Sequence, residues 1–269
     1  MRRRALLDGH PGSYGKDGMQ SQPALPAPAP LGPGVALFLD LDGTLAPIAP
    51  RPQDVRLDDD HRGVLRRLAR HLDGRLAILS GRTLADIDRI LGGAVVPAAG
   101  VHGLERRGED GRVHRAAPSP GLAAARSVLK AFVEENPILL LEDKGLSLGL
   151  HYRAAPQLGA SSRALAERLA QAHGLALQPG DMLMELRTPG ANKGDALRAF
   201  MAEAPFAGAA AVFVGDDLTD EDGFCAARVL GGTGVLVGPG RETAAGSRLA
   251  DVRAVFAWLE ASMTGTVTA

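Results

Sequence analysis

The sequence predicts an α/β fold: a doubly wound, Rossmann-like parallel sheet carrying an inserted α+β cap. Three observations carry this reading. Short apolar runs of strand length alternate with helical patterns in both halves of the chain, and these runs are apolar on both faces. Between residues 117 and 188 the pattern changes to helices followed by paired, alternating strands.

Residues 1–33 come first. GHPGSYGKDG and PALPAPAPLGPG are too rich in proline and glycine for helix or sheet, so this segment reads as a disordered arm. The alternation then begins. VALFLD (35–40) is an apolar run bounded by turn signals and reads as a strand. Val64, Leu65, Leu68 and Leu72 share one helical face, and RLAILS (75–80) returns as a strand. Leu84, Ile87, Ile90 and Leu91 mark a second helix, followed by a short strand in AVVPAAG (94–100). In the second half a helix over 193–203 leads to the strand AAVFVG (210–215). A helix over 220–230, the strand GVLVG (234–238) and a helix over 251–262 close the pattern. The core is therefore assigned to 34–116 and 189–262. In such sheets ligands bind beyond the carboxyl ends of the strands.

The insertion, 117–188, holds two similar units. Each is a helix followed by two strands: 121–135 with 138–142 and 146–153, then 160–173 with 175–178 and 182–187. The turns DKG and PGD imply hairpins and an antiparallel sheet. Leu146, Leu148, Leu150 and Tyr152 alternate with Ser147, Gly149, His151 and Arg153. Met182, Met184 and Leu186 alternate with Leu183, Glu185 and Arg187. Period two gives this sheet one apolar face for its helices and one polar face. The polar face is either a solvated exterior or a wall that closes over the core.

Bulk properties exclude several classes. The formal net charge of -1 gives no electrostatic reason to expect nucleic acid or an anionic membrane. A single cysteine, Cys225, precludes an internal disulfide and fits a reducing compartment. No stretch approaches the ~18 uncharged apolar residues of a transmembrane helix. MRRRALLDGH has no apolar segment behind its positive start, which argues against a cleaved secretory signal. A cytoplasmic monomer is the default expectation.

Four strand or helix ends carry the chemistry. Asp40 and Asp42 follow the first apolar run, and if the strand continues their side chains share one side. Two carboxylates this close repel unless one is protonated or a cation intervenes. Gly43 and Thr44 behind them allow a tight turn whose amides can face an anion. GDDLTDED (215–222) places Asp216 and Asp217 at another strand end, and two acidic strand ends in one parallel sheet suggest a hard cation such as Mg²⁺. Ser80 ends a third strand, as a helix N-cap or as a hydroxyl for a phosphate oxygen. Lys193 opens a helix behind Asn192, where the helix dipole disfavours it; it is either solvated or compensated by an anion.

In chain order, DLDGT, LSGR, NKG and GDDLTDED resemble the four motifs of the haloacid dehalogenase-like phosphatase superfamily, over essentially everything from 35 to 260. DLDGTLAPI, GVHGLE (100–105), EDKG (142–145), HYR (151–153), MELR (184–187) and GDDLTDEDGF (215–224) resemble, more closely, the trehalose-6-phosphate phosphatase family in its bacterial single-activity form. The resemblance implies that Asp40 is a nucleophile forming an aspartyl-phosphate, and that Asp42 protonates the departing sugar oxygen and then activates water. It implies Mg²⁺ held by the Asp40 carboxylate, the Asp42 backbone carbonyl and Asp216, with Asp217 and Asp220 auxiliary. That set leaves the Asp42 carboxyl free for proton transfer. Lys193 and Ser80 would balance the phosphoryl charge, with Gly43, Thr44, Gly81 and Arg82 among the substrate contacts. Glu142, Lys144 and Glu185 would grip the sugar, followed by His102 and Arg153 and more weakly Arg187. His102 is equally readable as a structural turn histidine. Aromatic residues make up only 4%, so hydrogen bonding rather than ring stacking must dominate sugar recognition. The implied substrate is a small sugar phosphate, trehalose 6-phosphate. The alternatives are a sucrose- or mannosylglycerate-type phosphate, or a phosphoacceptor module without turnover, against which Asp42 argues.

Overall fold

The computed structural model describes residues 25–95 and 97–264. Strand and helix alternate from the start: β1 (Val35–Leu39), α1 (Asp59–His71), β2 (Leu76–Leu79), α2 (Leu84–Leu91) and β3 (Ala98–Gly100). A polar hairpin, β4 (Glu105–Arg107) and β5 (Val113–Arg115), leads into the insertion. There α3 (Gly121–Glu135), β6 (Leu140–Asp143) and β7 (Ser147–His151) precede α4 (Gly159–His173), β8 (Ala176–Gly180) and β9 (Leu183–Arg187). The chain returns through α5 (Lys193–Met201), β10 (Ala210–Gly215), α6 (Glu221–Val229), β11 (Thr233–Val237), β12 (Ser247–Leu249) and α7 (Val252–Thr264).

The eight core strands run in the order β12-β11-β10-β1-β2-β3-β4-β5, with β12 through β3 parallel. Period two sorts β1 between two helical layers. Leu37 and Leu39 pack with Leu65 and Leu68 of α1, Ile87 of α2 and Leu259 of α7; Ala36 and Phe38 pack with Phe200 of α5 and Phe224 of α6. Each such buried leucine or phenylalanine contributes about 1.5–3 kcal/mol. This double burial leaves β1, the most apolar early run, at the centre of the sheet.

Side-chain caps set the helix starts. Asp58 accepts from the His61 amide at 2.8 Å and Thr83 from that of Asp86 at 3.2 Å. Asn192 and Asp195 form a reciprocal capping box on α5. Thr83, not Ser80, is thus the N-cap of α2, which removes the capping reading of Ser80.

The insertion forms its own antiparallel sheet, β6-β7-β9-β8. Leu148, Leu150, Met184 and Leu186 pack on Leu122, Leu129, Leu165 and Leu169 of its two helices. Its two linkers meet where the Ser119 amide donates to Thr188 Oγ1 at 3.0 Å.

Two expectations need correction. The disordered arm was expected over 1–33, but residues 25–33 lie anchored on the core without forming helix or strand. Pro26 O accepts from the Arg248 amide at 2.9 Å, Ala29 O from Trp258 Nε1 at 2.8 Å, and the Leu31 amide donates to Ser262 Oγ at 3.0 Å. Proline removes helix and ladder options, yet an extended chain still offers carbonyls to α7 and β12. Residues 1–24 and Val96 lie outside the described residues. Second, β4, β5 and β12 extend the core sheet beyond the strands expected. Among the described residues no helix is long and apolar enough to cross a membrane.

Candidate active site

The sheet delivers the acids to its carboxyl edge. Asp40 continues β1, its amide donating to Val214 O at 2.9 Å. Gly43 turns the chain with a φ of +78°, and a Cβ there would lie 2.0 Å from Asp216 Oδ2. Only glycine lets this loop and the end of β10 meet. Its amide is spent on Ala46 O at 2.7 Å. Thr44 is buried and donates to Asp216 Oδ1 at 3.3 Å. Gly43 and Thr44, expected to touch substrate, both pack against the Asp216 carboxylate.

Lys193 resolves the puzzle of a lysine at a helix start. Buried, it donates to Asp40 Oδ1 at 2.7 Å and Asp220 Oδ1 at 2.6 Å. Burial alone would lower its pKa, but Asp220 and Asp40 hold it above the ordinary range. Oxygens of Asp40, Asp216 and Asp220 lie within 4.8 Å of one another. Burial raises the Asp40 carboxyl well above its usual range against the pull of Lys193, with Asp220 and Asp216 adding to the rise. Burial and the charge of Asp220 push Asp216 up to about 7. Asp220, expected as an auxiliary ligand, spends its other oxygen on the Asp216 and Asp217 amides at 2.9 Å each. Asp217 faces the cavity and accepts from the Leu218 amide at 2.7 Å.

Asp42 stands apart from this trio. Its carboxyl, expected to stay clear of the metal for proton transfer, meets Arg82, which donates to both of its oxygens at 2.6 and 2.7 Å. Arg82, expected on substrate, lines the cavity with that fork already spent on Asp42. Ser80 is buried on the wall beside it, its Oγ accepting from the Arg82 amide at 3.2 Å. Gly81 leaves room for a neighbouring ring, since a Cβ there would approach His102 Nε2 to 2.7 Å.

His102 joins core to cap. Its backbone is left-handed, with φ 56°, and its Nε2 lies 3.0 Å from Glu185 Oε2. Burial lowers its pKa and so favours the neutral ring, although the Glu185 charge pulls the other way. With Nε2 protonated toward Glu185, Nδ1 is a buried acceptor without a donor among the described residues. Glu185 also accepts from Ser147 Oγ at 2.5 Å and Lys144 Nζ at 3.0 Å. Burial alone would raise its pKa; the Lys144 charge and the His102 and Ser147 contacts hold it well below the usual range. Lys144 reaches the core as well, donating to Gly81 O at 3.0 Å. Glu142 meets His151 Nε2 at 2.9 Å, and this bond and Lys144 lower its pKa although burial opposes them. Arg153 pairs with Asp181 at the rim at 2.9 Å. Arg187 turns from the cavity to donate to Ala191 O at 2.7 Å.

A cavity of ≈ 240 Å³ lies between core and cap, with Asp40, Ser80, Lys193 and Asp216 on the core side and Glu142, Lys144, Arg153 and Glu185 on the cap side. The polar cap face is therefore a wall and not a solvated exterior. Ser147 and His151 were not singled out as site residues. Their signal was present, since the same alternation puts both on the face of Glu185.

Acids, serine and lysine converging from separate strand ends of a doubly wound sheet, under a cap, define a hydrolase of the haloacid dehalogenase-like class. The C-terminal domain of a C. albicans trehalose-6-phosphate phosphatase superposes with a TM-score of 0.76 at 23% identity, covering 86% of this chain and 92% of that one. A trehalose-6-phosphate phosphatase related protein gives 0.72 at 28% identity, covering 85% and 96%. The particular family follows from sequence: residues 38–252 match the profile of trehalose-phosphatases. The chain is 44% identical over 227 residues to the trehalose-6-phosphate phosphatase of Escherichia coli (strain K12), covering 84% of this chain and 85% of that protein. It is 41% identical over 206 residues to a probable trehalose-phosphate phosphatase of Sinorhizobium fredii, covering 76% and 78%. The chain belongs to the trehalose-phosphatase family.

Proposed function

We propose that this chain hydrolyses trehalose 6-phosphate to trehalose and inorganic phosphate, a step of trehalose biosynthesis, in the cytoplasm. The observation that carries the reading is one cavity holding the Asp40 carboxylate on one side and the Lys144–Glu185 pair on the other. A phosphorylated end can meet the first while sugar hydroxyls meet the second.

Lys193 fixes one oxygen of Asp40 and so aims the carboxylate. Asp40 attacks phosphorus; the bond to the sugar oxygen breaks, and Asp42 supplies the proton that oxygen takes up. Asp42 then accepts a proton from the water that attacks the aspartyl-phosphate, which frees Asp40 and phosphate. Ser80 and Lys193 face the phosphoryl oxygens. The all-oxygen donor set fits Mg²⁺: three carboxylates lie within 4.8 Å of one another, and the Lys193 ammonium bonds only Asp40 and Asp220. Asp40, Asp216 and the Asp42 carbonyl would hold the ion, which would supply positive charge to the phosphoryl group when bound. On the cap, Glu142, Lys144 and Glu185 exchange the bonds they make with one another, with His151 and with His102 for sugar hydroxyls.

Phosphate release from trehalose 6-phosphate, glucose 6-phosphate and sucrose 6-phosphate tests the reading. The expected preference for the trehalose ester is at least about tenfold in kcat/KM, the scale of one lost hydrogen bond to a charged group. Equal rates on all three would leave a general sugar phosphatase.

A further inference from the structure

Both oxygens of Asp42 are taken by one side chain. Arg82 Nε donates to Oδ2 at 2.6 Å and Nη2 to Oδ1 at 2.7 Å, a side-on fork with the geometry of strong charge-assisted pairing. The guanidinium is itself tied to the core. Its Nη1 donates to Pro52 O at 2.9 Å, and the Arg82 backbone is held by Ser80 Oγ at one end and the Val101 amide at the other. The arginine side chain is 9% exposed and that of Asp42 33%. The buried, tethered partner therefore determines where the more exposed one rests.

Asp42 has to come within hydrogen-bond reach of two different atoms, the sugar oxygen and the attacking water. A short carboxyl on a loop just past the nucleophile gains from a fixed point to work from. A guanidinium that bound phosphate would present its fork to the cavity, whereas this one presents it to Asp42. Lys144 of the cap bonds the carbonyl of Gly81, the residue before Arg82, so the arginine also lies at the seam between cap and core.

We infer that Arg82 is a positioning residue: it sets the place of the Asp42 carboxyl for proton transfer and does not itself bind the phosphate or the sugar. The inference rests on the acid–base reading of Asp42.

Steady-state kinetics on trehalose 6-phosphate with Arg82→Ala, Arg82→Lys, Asp42→Asn and the Asp42→Asn/Arg82→Ala pair test it, with trehalose affinity measured by calorimetry. Arg82→Ala should lower kcat about 10²-fold, the low end of what a proton-transfer group contributes, with KM within about threefold. Arg82→Lys should recover little, because one ammonium cannot reproduce a two-point fork. The pair should be no slower than Asp42→Asn alone, since the arginine acts only through the aspartate. Trehalose affinity should not change. A raised KM with normal kcat, full rescue by lysine, additive losses, or weaker trehalose binding would each overturn the inference. A near-normal rate for Asp42→Asn would instead overturn the acid–base reading, and this inference with it. Where Arg82→Ala does not fold, as judged by its melting curve, Arg82→Gln keeps the side-chain length and carries the same expectations.

Discussion

Core and cap each bury a cluster of charges, and the two are balanced in opposite ways. On the core, Asp40, Asp216 and Asp220 crowd together, and the Lys193 ammonium bonds two of them, Asp40 and Asp220. Burial and like-charged neighbours push Asp40 and Asp216 up, Asp216 to about 7. On the cap, Glu185 receives three donors, Ser147, Lys144 and His102, and Glu142 is held by His151. Both glutamates are lowered although burial opposes it. Burial acts alike in the two places, so the neighbours decide the sign. A surplus of carboxylate calls for a cation. A carboxylate saturated with donors has hydrogen bonds to exchange, which suits an uncharged polyol.

The largest effect should come from withholding the proposed cation from the core. Chelation should reduce phosphate release more than about 10³-fold, given the several kcal/mol a catalytic metal supplies, and added Mg²⁺ should restore it. Mg²⁺ alone should raise the melting temperature of the unsubstituted protein and not that of Asp216→Asn. Full activity after chelation would dissolve the contrast. Glu185→Gln should act next, keeping shape while removing charge. Its kcat/KM should fall about 10- to 100-fold on trehalose 6-phosphate and stay within about threefold on 4-nitrophenyl phosphate. Equal losses would move Glu185 out of the sugar site. The smallest effect concerns acid. Glu185 is depressed below its ordinary 4.5 in the folded chain, so its stabilisation is present above that value and lost as pH falls through the lower folded one. Urea unfolding should show the protein weakening below pH 4.5. Glu185→Gln, with no proton to take up there, should weaken less over the same interval.

The meeting of Asp40, Ser80 and Asp216 at one cavity was readable from residue order, because a parallel sheet presents its strand ends together and each of them follows an apolar run. Their partners were not readable. Asp42 and Arg82 are 40 positions apart, and the contact depends on how two loops fold over the same sheet edge. Asp220 looked like one more acid in a run, and only the turn at Leu218–Asp220 aims it back at the amides of Asp216 and Asp217. Hairpin β4–β5 escaped because it is polar, and β5 is exposed throughout, leaving no apolar period to detect. The chain at 25–33 escaped for a related reason: composition reports which structures proline forbids and is silent on carbonyls docked to a distant helix.

The bond between Ser119 and Thr188 has a consequence for how such enzymes diversify. Departure and return of the insertion share one doorway, and the order of the eight-stranded sheet is unbroken by what lies beyond it. A lineage can therefore exchange or reshape the inserted domain while inheriting the core and its acid cluster intact. Such a change must renegotiate His102, the Gly81 carbonyl and the packing of Leu146 on Val101 and Leu104, where the inherited part reaches up to touch the replaceable one.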